Sequence, residues 1–308
     1  MLIAQISDLH IRQPGQLAYR RVDTAPFLVR CIERLNTWVQ PITAVLITGD
    51  LVDAGDPQEY AHLRTLLAAL KIPYYLMVGN HDRRVPLRDT FPDATYLFES
   101  RNRFIQYRVE LGSKANPLHL IALDSLDESR SGGRLCSTRL AWLAQALEDS
   151  QGAPTIVALH HPPFRTGIGH MDDAILDAGD SRLLAKLISG HPNVERVLCG
   201  HLHRPMHTRF AGTIASTAPT ATFATVSLSA CATTRTPPCA WPRSKACNPT
   251  SPQTSACATP YSMPSPTTPA SASAPAPSAC CSPSSPTPAF ARSCAPSQPP
   301  TPIHTSGL

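Results

Sequence analysis

The 308-residue sequence predicts an α/β fold built on a buried, largely parallel sheet. Short apolar runs alternate with segments of helical periodicity. Two of the runs adjoin with no helix between them, which adds a mixed or second sheet. Nearly every run also ends in Asp, Asn or His.

The elements follow in order. Leu2–Ser7 (LIAQIS), Ala44–Thr48 (AVLIT), Tyr74–Val78 (YYLMV), Thr155–Leu159 (TIVAL) and Val194–Cys199 (VERVLC) read as strands. Between the first two, Ala25, Leu28, Val29, Ile32, Leu35 and Val39 recur at helical spacing, as do Leu63, Leu66, Leu67 and Leu70 before the third. Phe104–Leu111 and Leu118–Leu123 form the pair without an intervening helix. No internal repeat is present.

Composition divides the chain near residue 220. All 22 acidic residues lie at or before Glu195, whereas Ala, Pro, Ser and Thr fill 63 of the 88 positions in 221–308. Residues 1–220 are therefore expected to form the folded domain. Residues 221–308 are expected to form a low-complexity tail that buries too little apolar area to offset its ordering entropy. The charge divides similarly: residues 1–220 carry +1, and Arg235, Arg243, Lys245 and Arg292 supply +4 of the total of +5. No basic face of the domain accounts for the charge, so no nucleic-acid partner is expected. The opening MLIAQIS lacks the pattern of a secretory signal, and no run of 18 apolar residues exists, so no membrane partner is expected. Only Cys31, Cys136 and Cys199 precede the tail, without paired spacing, which fits a reducing cytoplasm.

The strand ends carry the chemistry. SDLH offers Asp8 and His10, GDLVD offers Asp50, and GNHD offers Asn80 and His81. TIVAL is followed by His160 and His161, and VERVLC by His201 and His203 in GHLH. Each short match is also the composition of a turn or a helix cap. Together, at the same end of five strands, they converge on the crevice where open sheets bind ligands. Oxygen and imidazole donors without thiolate suit Fe or Mn, with Zn or Co as alternatives. At least seven donors exceed one tetrahedral ion and suffice for two, roughly 3.5–4 Å apart, a common device for hydrolysing phosphate esters. Asp50, on the central motif, is the natural bridge.

The order D-x-H, GD, GNHD, H, GHLH resembles the calcineurin-like metallophosphoesterase superfamily over about residues 1–215. The wider context, ISDLHIR, GDLVDAGDPQEY, the LDS of Leu123–Ser125 and HHPPF, is similar to class III cyclic-nucleotide phosphodiesterases and bacterial glycerophosphodiesterases. The resemblance implies a four-layer α/β/β/α sandwich of two mixed sheets with a dinuclear site at the strand ends. By motif, Asp8, His10, Asp50 and His203 correspond to the ligands of one metal, and Asp50, Asn80, His160 and His201 to those of the other. His81 corresponds to a catalytic imidazole that stabilises a phosphoryl oxygen or protonates the leaving alkoxide. The implied reaction is hydrolysis of a small phosphodiester, a 3′,5′-cyclic nucleotide such as cAMP or a glycerophosphodiester, by a hydroxide that bridges two cations.

His161 reads as a supporting donor or as a packing residue, and His170 as a loop residue within reach of substrate; both are substrate-contact candidates. His62 and His119 read as solvated or core residues, and Asp53 and Asp56 as turn residues. A phosphomonoesterase on the same fold and a non-catalytic scaffold are the competing readings. For residues 221–308 a frameshift near residue 220 is favoured over a genuine extension, because shifted GC-rich codons yield Ala, Pro, Ser, Thr, Arg and Cys without Asp or Glu. On that reading a closing strand and any homo-oligomer contacts of the native C-terminus are lost, and the product is impaired.

Overall fold

The computed structural model describes residues 1–99, 103–220 and the strand at 227–230. The first sheet has the order β10-β1-β2-β3. It is built from β1 (Leu2–Ile6), β2 (Ala44–Ile47), β3 (Tyr74–Leu76) and β10 (Ser227–Ala230). The first three are parallel and β10 runs antiparallel to β1. The second sheet has the order β4-β5-β6-β7-β9-β8. Its strands are β4 (Tyr107–Ser113), β5 (Asn116–Leu123), β6 (Thr155–Leu159), β7 (Val194–Cys199), β8 (Met206–Phe210) and β9 (Thr213–Thr217). The β4–β5 pair is antiparallel, as expected where no helix intervenes, and it adjoins the parallel run β5-β6-β7-β9.

Alternation along β5, β6 and β7 separates two cores, since successive side chains of a strand point to opposite faces. Leu120, Ala122, Ile156, Ala158 and Leu198 join the first sheet's Ile3, Val45 and Ile47 in one cluster. Ile121, Leu123, Val157, Leu159 and Val197 join residues of α4 (Ser137–Glu148) and α6 (Ala178–Ser189) in the other. The helices α1 (Ala25–Asn36) and α2 (Pro57–Leu67) contribute Leu28, Ile32, Leu35 and Leu63 to the first core. The outcome is the α/β/β/α sandwich. Of the residues expected on the buried face of the first helix, Val29 and Val39 depart from expectation at 40% and 96% exposure. The helix stops at Asn36, so Val39 lies beyond it, and Cys31 occupies the core face instead.

Polar groups tie the layers together near the strand ends. Gln5 of β1 donates to Thr48 Oγ1 (3.1 Å) and, across the sheets, to the Cys199 carbonyl (2.8 Å). Asp124, fully buried, accepts two hydrogen bonds from Arg84 (2.7 and 2.8 Å) and one from the Ile105 amide (2.8 Å). Paired and hydrogen-bonded in this way, a buried carboxylate is tolerated. The LDS motif thus joins the sheet edge to α3 (Arg84–Thr90).

Among the described residues no helix is long and apolar enough to cross a membrane. Where the frameshift reading expects a closing strand to be lost, the strand β10 pairs antiparallel with β1 of the first sheet. The remaining expectations for the tail fall outside the described residues.

Candidate metal centre

All five ligand-bearing segments follow a strand at its carboxyl end and share one pocket of donors. The segments after β1 and β2 are laced by backbone bonds, Asp8 N to Gly49 O (3.1 Å) and His10 N to Asp50 O (3.0 Å). Tight turns are needed to aim the side chains inward, and the backbone shows it. Asp8, His10, Asp50, His201 and His203 all have positive φ, between 45° and 72°, a region costly for non-glycine residues and concentrated at functional sites. The motif glycines provide close approach. A Cβ on Gly49 (φ +93°) would fall 2.5 Å from His160 Nδ1, and one on Gly79 would collide with the Asp50 carboxylate.

Asp50 lies at the centre. Its Oδ1 accepts from the His81 amide (2.9 Å), while its Oδ2 faces His160 Nε2 at 3.3 Å and His10 Nε2 at 3.8 Å. On one side Asp8, His10, Asp50 and His203 gather, with His10 Nε2 and His203 Nε2 3.1 Å apart and His203 Nε2 3.5 Å from Asp8 Oδ1. On the other, Asn80 Oδ1 lies 3.2 Å from His160 Nε2 and 2.9 Å from His201 Nδ1. The two expected ligand sets are therefore both brought together, and they meet at Asp50.

The electrostatics fit a cationic occupant. His160 Nδ1 donates to the Thr48 carbonyl (2.8 Å), so its Nε2 is the atom turned towards Asp50 and Asn80. There it meets only acceptor oxygens, which without another cation requires a proton. Burial opposes that proton most strongly, but Asp50, with Asp8 and the Thr48 carbonyl, raises His160 to about 9. Burial would likewise push the Asp50 carboxyl up, yet His160, then His10 and His81, hold it well below the usual range. Burial and the charge on His160 depress His201 to about 3, leaving it neutral, and its buried Nε2 has no hydrogen-bond partner. Crowded lone pairs and an orphaned buried nitrogen on His201 fit a donor set for metal ions.

His81 belongs to neither set, although with His10 and Asp53 it forms a third group of neighbouring donors. It is half-buried, its Nδ1 donates to the Asp53 carbonyl (2.6 Å), and its Nε2 is left for chemistry. It lines a cleft of about 330 Å³ with Asn80, Asp53, Arg83 and Arg130. His161 is wholly buried with both nitrogens engaged, by Ser125 Oγ (2.8 Å) and the Ser131 carbonyl (3.0 Å). It packs 4.9 Å from the His201 ring, which is the supporting reading rather than a place on the cleft wall. His170 is exposed on the short α5 (Gly169–Asp172) and belongs to none of the donor clusters.

Three residues at the site escaped the sequence reading. Asp53 is more than a turn residue: its Oδ1 lies 3.5 Å from His10 Nδ1, placing a carboxylate behind a metal-facing imidazole. Its spacing of three from Asp50 is the only sequence signal. Tyr19 brings its hydroxyl 3.0 Å from His10 Nε2 from a loop that carries no motif. Tyr60, fully buried on α2, donates to Asp82 Oδ1 (2.9 Å) and accepts from the Arg83 amide (2.8 Å), holding the loop that bears Asn80 and His81. Asp56 keeps its local role as the N-cap of α2, and His62 bonds the Arg12 carbonyl (2.6 Å).

A two-sheet sandwich with paired donor sets at its strand ends defines a metallophosphoesterase. Residues 1–205 match the family model described as calcineurin-like phosphoesterase, and the chain belongs to that family. A relative from Arcobacter nitrofigilis, named probable glycerophosphodiester phosphodiesterase GpdQ, is 34% identical over 218 residues, 71% of this chain and 77% of its own length. A 3′,5′-cyclic-nucleotide phosphodiesterase from Nostoc is 31% identical over 202 residues, 66% of this chain and 71% of its own. Among solved structures, a dimetal phosphatase from Danio rerio shares the fold with a TM-score of 0.56 at 14% identity, over 72% of this chain and 88% of its own.

Proposed function

We propose that the chain hydrolyses a small phosphodiester, a 3′,5′-cyclic nucleotide such as cAMP or a glycerophosphodiester, with two metal ions, Fe or Mn. The observation that carries this reading is Asp50 Oδ2 within 3.3 Å of His160 Nε2 and 3.8 Å of His10 Nε2, so that Asp50 would serve both donor sets. Asp8, His10 and His203 would hold one ion and Asn80, His160 and His201 the other. When bound, the ions supply Lewis acidity to the phosphoryl oxygens and activate water. Asn80 contributes a neutral oxygen, which leaves charge on Asp50 and Asp8. His81, with Nδ1 tied to Asp53, presents Nε2 to neutralise charge on a non-bridging oxygen or to give a proton to the departing alkoxide. A diester loses one alkoxide and leaves a monoester. Both named relatives, one a glycerophosphodiesterase and one a cyclic-nucleotide phosphodiesterase, support this class. A cytoplasmic location accords with three unpaired cysteines in the described domain.

The test is a substrate panel on Mn²⁺-loaded protein: a bis-aryl phosphodiester, its monoester, cAMP and glycerophosphodiesters. The diesters should be hydrolysed faster than the monoester at equal metal content. A monoester preference would overturn the reading, and the ranking of cAMP against glycerophosphodiesters selects the substrate.

A further inference from the structure

Two guanidinium groups line the cleft beside His81 and belong to neither donor set. Arg83 is the N-cap residue of α3, and its Nη1 donates to the Asp82 carbonyl (2.7 Å). Its stem lies on Gly55, where a Cβ would sit 2.5 Å from Arg83 Cγ and 3.1 Å from the His81 carbonyl oxygen. The glycine thus keeps the arginine stem against the His81 segment. Arg130 comes from the loop between β5 and α4, 44% exposed, with long contacts to the Gly132 and Gly133 carbonyls (3.4 and 3.5 Å) and to Asp127 (3.7 Å).

The acids of the same cleft are engaged elsewhere. Glu128 is held by Arg84 Nη1 at 2.7 Å, and Asp53 faces His10 at 3.5 Å and Arg12 at 3.6 Å. Asp82, beneath Arg83, accepts from the Gly79 and Leu51 amides and the Tyr60 hydroxyl. Asp53 and Glu128 thus have cationic partners other than Arg83 and Arg130, and Arg130 keeps a loose 3.7 Å contact to Asp127, so both guanidinium groups are presented to the cleft beside His81. Guanidinium groups match carboxylate and phosphate in charge and shape.

We propose that Arg83 and Arg130 form an anion-binding subsite for a second negatively charged group, carboxylate or phosphate, on the alcohol that leaves. Of the two substrate classes named above, this favours a glycerophosphodiester whose departing alcohol carries such a group over cAMP, which has no anion beyond its phosphodiester. This deepens the reading of His81 given above and rests on it for the direction of the leaving group.

Three phosphonates, which cannot be hydrolysed, test it by titration calorimetry on the metal-loaded full-length chain: phenylphosphonate, 3-carboxyphenylphosphonate and benzene-1,3-bisphosphonate. An added anion should tighten binding by about fivefold to tenfold, as expected for half-exposed charge-assisted pairs, and salt should diminish the gain. The larger gain of the two identifies carboxylate or phosphate as the preferred group. Arg83→Gln and Arg130→Gln should each reduce the gain, and the double variant should abolish it. Absence of a gain in the unaltered chain overturns the subsite, as does a gain that survives in the double variant. Hydrolysis of methyl 4-nitrophenyl phosphate is measured separately. Its failure beside a retained phosphonate gain discards the diesterase reaction and leaves the subsite standing.

Discussion

His81 and Asp53 are joined by a 2.6 Å hydrogen bond from the ring Nδ1 to the backbone carbonyl. A carbonyl only accepts, so the bond fixes the proton on Nδ1 and leaves Nε2 to exchange one. His81→Ala should retain both metal ions and lower turnover by about 10²–10³-fold, the contribution of a lost acid or electrostatic partner. Metal analysis alongside steady-state rates checks this. Loss of an ion in the variant would make His81 a ligand instead.

A shared carboxylate has a different signature. Asp50→Asn should weaken binding of both ions, whereas His203→Ala should weaken chiefly one. Gly79→Ala should mimic Asp50→Asn without replacing a donor, because its Cβ would displace the Asp50 carboxylate and press on the His160 ring at 2.8 Å. Metal stoichiometry against total metal concentration distinguishes the three variants.

Metal affinity should rise with pH. His160 in the metal-free chain titrates at about 9, above the ordinary 6.5. Its protonated form therefore stabilises the metal-free fold fully below about pH 6.5, and that stabilisation is lost as pH rises through about 9. An ion must displace the same proton, so affinity should climb about tenfold per pH unit across that window for one proton released. Chelator competition between about pH 6.5 and 9 measures the slope, and a flat profile would contradict the pairing with Asp50.

Tyr60→Phe should cost about 1–3 kcal/mol, because it leaves a buried carboxylate oxygen and the Arg83 amide without their partner. For a domain of this size that is a fall in Tm of about 2–4 °C per kcal/mol. Thermal unfolding of the variant, with and without metal, checks it.

The parts of the fold legible in sequence were those where periodicity is strong. β1, β2 and β6 are buried from end to end or nearly so, β3 and β7 are buried towards their carboxyl ends, and the donors that follow all five mark the site. β8 and β9 escaped because MHTRF is a half-exposed edge strand and TIAST, inside it, is short and polar, so neither shows a clear apolar period. Tyr19 and Tyr60 escaped for another reason, since each reaches the site through a tertiary contact with His10 or Asp82 that no motif encodes, and Asp53 gave only its spacing from Asp50. The expected frameshift stays a matter for the gene, and translating the other two frames downstream of codon 220 checks it. An acid-containing, strand-patterned continuation supports it, and none in either frame refutes it.

The antiparallel pairing of Ser227–Ala230 with Leu2–Gln5 bears on how the protein should be shortened. A truncation at residue 220, the point suggested by composition, would keep the Ser7–Thr220 bridge but remove β1's outer partner. The strand leading into Asp8 and His10 would then offer an open row of amides and carbonyls, a template for pairing with other chains. Any shortened form intended for crystallisation should therefore end beyond Ala230.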